Sequence, residues 1–201
     1  MQTLDVVNEM LGTMGETPLN TLEDPHTFRG ACLSTLTNMN RQIQSKGWWF
    51  NRETLELAPS ALDSTIYLPG DFINVRVPRL PTGRATRNVV QRGRRLYDLD
   101  EGRYEFDKAV TVEVVRLIPF QEMPETAAQY VAAMAVLQFQ SKYDGDTAKS
   151  REIRGRLEGP MGLFAAINTE ETRNRQVNLI ESNPRLLRLK FITKAARRLL
   201  R

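Results

Sequence analysis

One cysteine, Cys32, and one histidine, His26, are all that 201 residues supply of the two side chains richest in metal and nucleophile chemistry. A single thiol excludes an intramolecular disulfide framework, and the pair together excludes a Cys/His-rich zinc site. Any Ser-His-Asp or Cys-His engine would have to use His26. Runs of about eighteen apolar residues are also lacking, so no segment is expected to insert into a membrane. The opening residues MQTLDVVNEM carry acids where a secretory signal needs a basic stretch and an apolar run. A soluble protein made inside the cell is the expectation. Phosphate-cradling glycine motifs are missing as well: Gly155, Gly159 and Gly162 have other spacings, and Pro160 interrupts them. No cofactor is expected.

What is present is ordinary globular material, 41% hydrophobic and 26% charged, enough for about one domain or one domain with an insertion. A chain of this size buries roughly 70% of its unfolded surface and needs no metal or disulfide to hold it. The charge is less even than its total of +4. Residues 72–97 contain Arg76, Arg79, Arg84, Arg87, Arg92, Arg94 and Arg95 and no acid. The last eighteen residues contain Arg185, Arg188, Lys190, Lys194, Arg197, Arg198 and Arg201, again with no acid. Each segment carries +7, which leaves −10 on the rest of the chain. Basic clusters of this kind attract phosphate, acidic lipid or an acidic protein face. Arginine on solvated strand edges, where it discourages edge-to-edge pairing, is the plainer reading of residues 72–97. In the tail, Leu187, Leu189, Phe191 and Ile192 between the charges would be poorly placed in a purely solvated segment.

Along the chain, Leu4, Val7, Leu11 and Met14 fall at helical spacing and predict a short amphipathic helix over residues 3–14. Asp24 followed by Pro25 predicts the start of a longer helix, residues 25–46, with a stripe of Phe28, Cys32, Leu36, Met39 and Ile43 and a stop at Gly47. Short β-branched and aromatic runs follow, split by Pro, Gly and Asp: Trp48-Trp49-Phe50, TLELAP, TIYLP, DFINVRVPRL, RNVVQRG, RRLYDLD, RYEF and VTVEVVRLIPF. That punctuation predicts antiparallel strands, with a hairpin turning near Arg92-Gly93. Alternation would send Trp48 and Phe50 to one side and Trp49 to the other. After Pro124 a helix apolar on two faces is expected: Tyr130, Met134 and Leu137 on one, Ala132, Val136, Phe139 and Tyr143 on the other. A turn at Asp144-Gly145-Asp146, a helix from about Thr147, a break at Gly159-Pro160 and a piece with Leu163, Phe164 and Ile167 complete the pattern. The polar stretch 168–176 is exposed helix or loop. The fold class is α+β. An antiparallel helical bundle comes from both ends of the chain, residues 1–47 and 120–183, around an inserted antiparallel β-rich lobe, residues 48–119, with a basic docking tail at 184–201.

Few residues invite catalysis. His26 beside Asp24 reads as a surface or capping residue, and Cys32 on the apolar stripe as a core thiol. The Trp48-Trp49-Phe50 cluster can stack bases or sugars, although such clusters at a helix-to-strand junction are commonly core. Carboxylate pairs such as Glu122 and Glu125 suit glycoside hydrolysis only if space brings them together. No catalytic constellation stands out.

The segment MNRQIQSKGWWFNRE, residues 39–53, resembles the corresponding segment of the tail tubular protein A family, the adaptors or head-to-tail connectors of short-tailed bacteriophages (podoviruses). VNEMLGTMGETPLNTLED, DFINVRV, VVQRGRRLYD and VTVEVVRLIPFQEMPE fit the same family in order, over residues 1 to about 143. The resemblance implies a virion protein of the tail, assembled in the host cytoplasm as a dodecameric ring beneath the portal. It implies a portal protein, a nozzle protein like tail tubular protein B and tail fibres as partners, and double-stranded DNA passing through the centre. On that basis Arg185, Leu187, Arg188, Leu189, Lys190, Phe191, Lys194, Arg197 and Arg198 are expected to dock on the portal. Arg76, Arg79, Arg84, Arg87, Arg92, Arg94 and Arg95 are expected to meet the nozzle or fibres. Acidic surface is expected to line the channel, since it repels DNA phosphates where arginine would hold them. Ring interfaces would be head to tail, with helices 25–46 and 125–143 as suppliers. Two other classes stay open: a nucleic-acid-binding module using the arginine clusters, and a tail-associated glycan or cell-wall hydrolase.

Overall fold

The structure is a computed structural model and describes residues 1–78, 87–159 and 161–174. It divides into a unit of residues 1–167 and a second of 168–201. Of the second, the described part continues the last helix. In chain order the elements are α1 (Thr3–Thr13), α2 (Arg29–Gln44), β1 (Arg52–Leu57), β2 (Phe72–Arg76), β3 (Val89–Arg92), β4 (Arg95–Asp98), β5 (Val110–Arg116), α3 (Glu125–Tyr143), α4 (Thr147–Glu158) and α5 (Leu163–Asn174). Helices at both ends thus flank the strands, an α+β fold with antiparallel sheets.

Two apolar cores occupy the first unit. The larger is helical and collects Val6, Val7, Met10 and Leu11 of α1, Cys32, Leu36 and Met39 of α2, Phe139 and the small residues of α3, and Ile153 and Leu157 of α4. Helix α3 is its axis and packs against α1, α2 and α4. Ala127, Ala128, Ala132, Ala133 and Ala135 are all buried on it, and the absence of longer side chains there lets its neighbours approach from several directions. The α3–α4 turn falls where the sequence predicts it. Asp146 caps α4 by accepting from the amides of Ala148 at 2.7 Å and Lys149 at 3.4 Å. Buried Gln140 ties the turn down, donating to the Asp146 carbonyl at 2.7 Å and accepting from Ser150 Oγ. The helix then ends at Glu158, before Gly159-Pro160, as expected.

The smaller core lies in the β lobe. Strand order is β1-β5-β2, all antiparallel, with a register shift between Phe72 and Asn74. The sequence VTVEVVR makes β5 the centre strand, because Val110, Val112 and Val114 all turn to the inner face. Ile66, Leu68, Phe72, Val75, Leu96 and Phe106 close over them. β3 and β4 form a separate hairpin with Arg92 opposite Arg95. Gly93, first of its two turn residues, has φ +62, and Arg94 stays at negative φ, the pattern of a type II′ turn.

Three expectations need correction. The second helix begins at Arg29, not at Pro25. Both Asp24 carboxylate oxygens are already taken by residues preceding it, the amides of Asn20 and Thr21 and the Thr21 hydroxyl, so the aspartate closes a turn backwards. His26 Nδ1 instead accepts from the Phe28 amide at 3.2 Å as the helix opens. Trp48-Trp49-Phe50 is not a strand but a turn, whose Asn51 amide returns to the Trp48 carbonyl at 3.2 Å. Trp48 is buried while Trp49 and Phe50 are both half-buried, so no alternation occurs. The TIYLP and RYEF runs make only isolated bridges, Thr65 to Glu105, Tyr67 to Arg95 and Asp98 to Arg103.

The bundle and the lobe join through a buried amide network. Gln44, at the end of α2, accepts from the Ile118 amide at 2.8 Å and donates to its carbonyl at 2.8 Å and to Asn40 Oδ1 at 2.8 Å. Asn51 accepts from the Trp48 amide at 2.8 Å and donates to the carbonyls of Gln44 at 3.1 Å and Arg116 at 2.8 Å. Both residues are fully buried. Gly47 makes the approach possible: its φ is +74, and a Cβ there would stand 2.8 Å from Val115 Cγ2. Asn51→Ala strands these backbone groups and should cost about 2–3 kcal/mol. Urea unfolding will read the loss, and a change within a few tenths of a kcal/mol would mean that the network contributes nothing net.

Candidate functional site

Of the seven arginines between residues 76 and 95, Arg79 and Arg84 lie outside the described residues. The other five do not form one patch. Arg76 ends β2, exposed and in register with Glu113. Arg87 turns inward. Its Nε donates to Asp98 Oδ2 at 2.5 Å, its Nη2 lies 3.6 Å from Glu101, and its guanidinium sits 5.0 Å over the Phe106 ring. Asp98 is fully buried and also accepts from the amides of Asp100 at 2.9 Å and Glu101 at 3.2 Å. Arg87 is therefore a structural cation, and the expectation that it meets a tail partner does not suit its environment.

Arg92, Arg94 and Arg95 gather at the hairpin turn, all exposed. Arg94 folds over the Pro69-Gly70 turn, where a Cβ on Gly70 would stand 2.7 Å from its Nη2. The other two rest on aromatic rings. The Arg92 guanidinium lies 3.6 Å over Tyr97 and that of Arg95 4.2 Å over Tyr104, while the two tyrosines meet edge to face at 4.8 Å. Tyr67, 58% exposed, extends the same surface through its bridge to Arg95 and donates to Asp63 at 2.7 Å. The plain strand-edge reading of the arginines overlooked these rings. A sequence signal existed, since alternation along RRLYD puts Arg95 and Tyr97 on one face of β4 and sends Leu96 and Asp98 inward.

The remaining candidates are placed less suggestively. Cys32 is buried on α2, and burial pushes its thiol up to about 11. The other ring nitrogen of His26, Nε2, lies 3.7 Å from Glu16. Glu122 is exposed in a single 3₁₀ turn, and Glu125 pairs with the Met1 ammonium at 3.0 Å. A cleft of about 490 Å³ beside the α3–α4 turn is lined by Ser141, Thr147, Ser150, Arg151 and Arg154, with no carboxylate pair. Among the described residues no group of three or more His, Cys, Asp or Glu could hold a metal ion, and no helix is long and apolar enough to cross a membrane. The nine tail residues from Arg185 to Arg198 expected to dock on the portal all lie outside the described residues.

Among the described residues the most distinctive exposed chemistry is thus arginine held on tyrosine, with no cluster of catalytic or metal-binding groups beside it. The tail tubular protein family model matches residues 4–187, and the chain belongs to this family. It is 32% identical over 132 residues to tail tubular protein A of Klebsiella phage KP34, covering 66% of this chain and 68% of that protein. The protein is thus a structural component of a phage tail. The family match runs well past Tyr143, so it takes in α4, the Gly159-Pro160 break and the start of the basic tail, which the resembling stretches do not reach.

Two measurements check the electrostatics. Burial works to raise the Asp98 carboxyl, but the amides of Glu101 and Asp100 and the Arg87 guanidinium outweigh it and hold it below the usual aspartate range. Its contribution is therefore complete above the unfolded value of about 4 and is lost as pH falls through the lower folded value. Asp98→Asn should flatten the acid limb of the stability–pH curve; an unchanged limb would assign it to other carboxylates. A thiol-reactive disulfide reagent should modify Cys32 only on unfolding, and prompt reaction of the native protein would contradict its burial.

Proposed function

We propose that this protein is the adaptor ring of a podovirus tail, joining the portal to the nozzle and forming part of the channel through which DNA is ejected. The observation that carries the reading is the family match over residues 4–187, reinforced by a relative that is itself a tail tubular protein A. In this reading the helical bundle (residues 1–47 and 120–183) and the β lobe (residues 48–119) are two bodies of one subunit, and residues 184–201 are a docking tail. The subunits close a dodecameric ring through heterologous contacts, one face of each meeting a different face of the next. Helix α2 supplies such a contact better than α3. The apolar faces of α3 are consumed inside the bundle, whereas Gly30, Ser34, Thr37, Asn38 and Arg41 are exposed along α2.

The charge division assigns the partners. The tail alternates leucine and phenylalanine with arginine and lysine, so that docking on the portal buries Leu187, Leu189 and Phe191 and pairs the basic residues with portal carboxylates. The arginines exposed on the hairpin, Arg92, Arg94 and Arg95, face the nozzle or fibres. Acidic surface lines the channel, where its repulsion of phosphate lets duplex DNA slide. The role is structural rather than enzymatic, and assembly takes place in the host cytoplasm before the virion is released.

Mixing the purified protein with portal rings of the same phage and weighing the product by native mass spectrometry tests this directly. A portal loaded with a full ring is expected, and deletion of residues 184–201 should abolish loading while the helical circular dichroism of the bundle survives. Absence of loading at low salt, together with steeply salt-dependent binding to duplex DNA, would replace the connector with a nucleic-acid-binding module.

A further inference from the structure

The turn end of the β3–β4 hairpin carries charge that the fold itself does not use. Arg92 and Arg95 are the cross-strand pair that closes the hairpin, and like charges placed opposite one another are destabilising. Neither guanidinium meets a carboxylate among the described residues. Three other arginines of the lobe are held by carboxylates: Arg87 by Asp98 and Glu101, Arg103 by Glu101 and Asp107, and Arg116 by Glu53 and Asp71. What Arg92 and Arg95 have instead is a ring each, Tyr97 at 3.6 Å and Tyr104 at 4.2 Å. Stacking on a ring occupies one face of a guanidinium and restrains its long side chain. The in-plane N–H groups stay open, so the carboxylate-binding fork is presented before any partner arrives.

The surroundings distinguish between anionic partners. Asp63 accepts from the exposed Tyr67 hydroxyl, and the exposed Glu105 pairs with Thr65, so carboxylates border the arginine–tyrosine face. A nucleic-acid duplex laid across it would press phosphates against those acids. A narrow polypeptide reaches the two forks between them, and arginine and tyrosine are the residues on which protein interfaces most often concentrate binding energy. Side chains on alternate residues of an extended strand lie about 6.6 Å apart on one face, comparable with the roughly 5 Å between cross-strand positions.

We propose that the Arg92–Arg95 face receives an extended acidic segment of a protein partner, with carboxylates on alternate residues each taken by one stacked guanidinium. The inference rests on the tail-connector reading only for the identity of that partner, the component that follows this protein in the tail. A labelled short peptide of alternating glutamate and serine probes the surface on the full chain by fluorescence anisotropy, with a glutamine–serine peptide and a short DNA duplex as comparisons. The glutamate peptide should bind and the glutamine peptide should not. The Arg92→Gln, Arg95→Gln double variant should lose at least about tenfold in affinity, and the corresponding lysine pair should recover only part of it, because lysine offers no planar fork. Both positions are exposed, and a melting temperature no lower than that of the parent protein will show that the variants fold. Equal binding of the two peptides, unchanged affinity of the glutamine variant or full recovery with lysine would overturn the inference. Tighter, arginine-dependent binding of the duplex would overturn it in favour of a nucleic acid. Portal loading is a separate readout: its loss with peptide binding intact sinks the connector reading alone, and the reverse result sinks only the carboxylate site.

Discussion

The amides of Gln44 and Asn51 are the constraint on which the arrangement of this protein depends. The chain leaves the helical bundle once, after α2, and returns once, before α3, and these two side chains bind both crossings to one another. Gln44 reads the Ile118 backbone on the return strand in both directions, and Asn51 reads Arg116 while closing the Trp48 turn on the outgoing one. Apolar residues at these positions would pack but could not select a register. Fully satisfied buried amides do, because any other alignment leaves donors unpaired in a dry environment. The larger core draws on residues before and after the lobe, and the smaller one on the lobe itself.

Ion pairs follow a consistent division of labour. In the β lobe a buried group anchors one pair, Asp98 with Arg87, while half-buried Arg116 bridges the exposed Glu53 of β1 and the half-buried Asp71 beside β2. In the bundle, exposed pairs such as Arg156 with Glu9 and Lys149 with Asp144 join helices without governing the packing, which alanine contact along α3 already determines. At the hairpin turn two exposed arginines, Arg92 and Arg95, rest on tyrosine instead. Arginines that hold the lobe are thus separate from arginines that face outward.

Much of this architecture is legible in the chain. The two-faced apolar pattern after Pro124 predicts a central helix, and α3 occupies residues 125–143 at the heart of the bundle. Asp144-Gly145-Asp146 and Gly159-Pro160 punctuate the helices where cap and breaker chemistry says they should, and the two-residue turn after Arg92 needs a glycine at positive φ and has one. The failures share a cause. Asp24 is a sound cap by residue type, yet its oxygens are spent on the preceding turn; Trp48-Trp49-Phe50 has strand propensity, yet Asn51 draws it into a turn. Arg87 and Arg92 are indistinguishable as letters, although one lies on a buried aspartate and the other on a half-buried tyrosine ring.

The sequence by itself determined most of the element types, the α+β class, the family and the split between two basic segments and an acidic remainder, because periodicity, capping residues and charge are local properties that can be read in order. Tertiary structure alone decided which arginines are structural and which are offered outward, where Asp24 spends its hydrogen bonds, and how the bundle is locked to the lobe. Those outcomes depend on pairings between residues far apart in the chain, such as Gln44 with Ile118 and Asn51 with Arg116, and on the order in which neighbouring donors compete for the same oxygen. No local pattern carries that information.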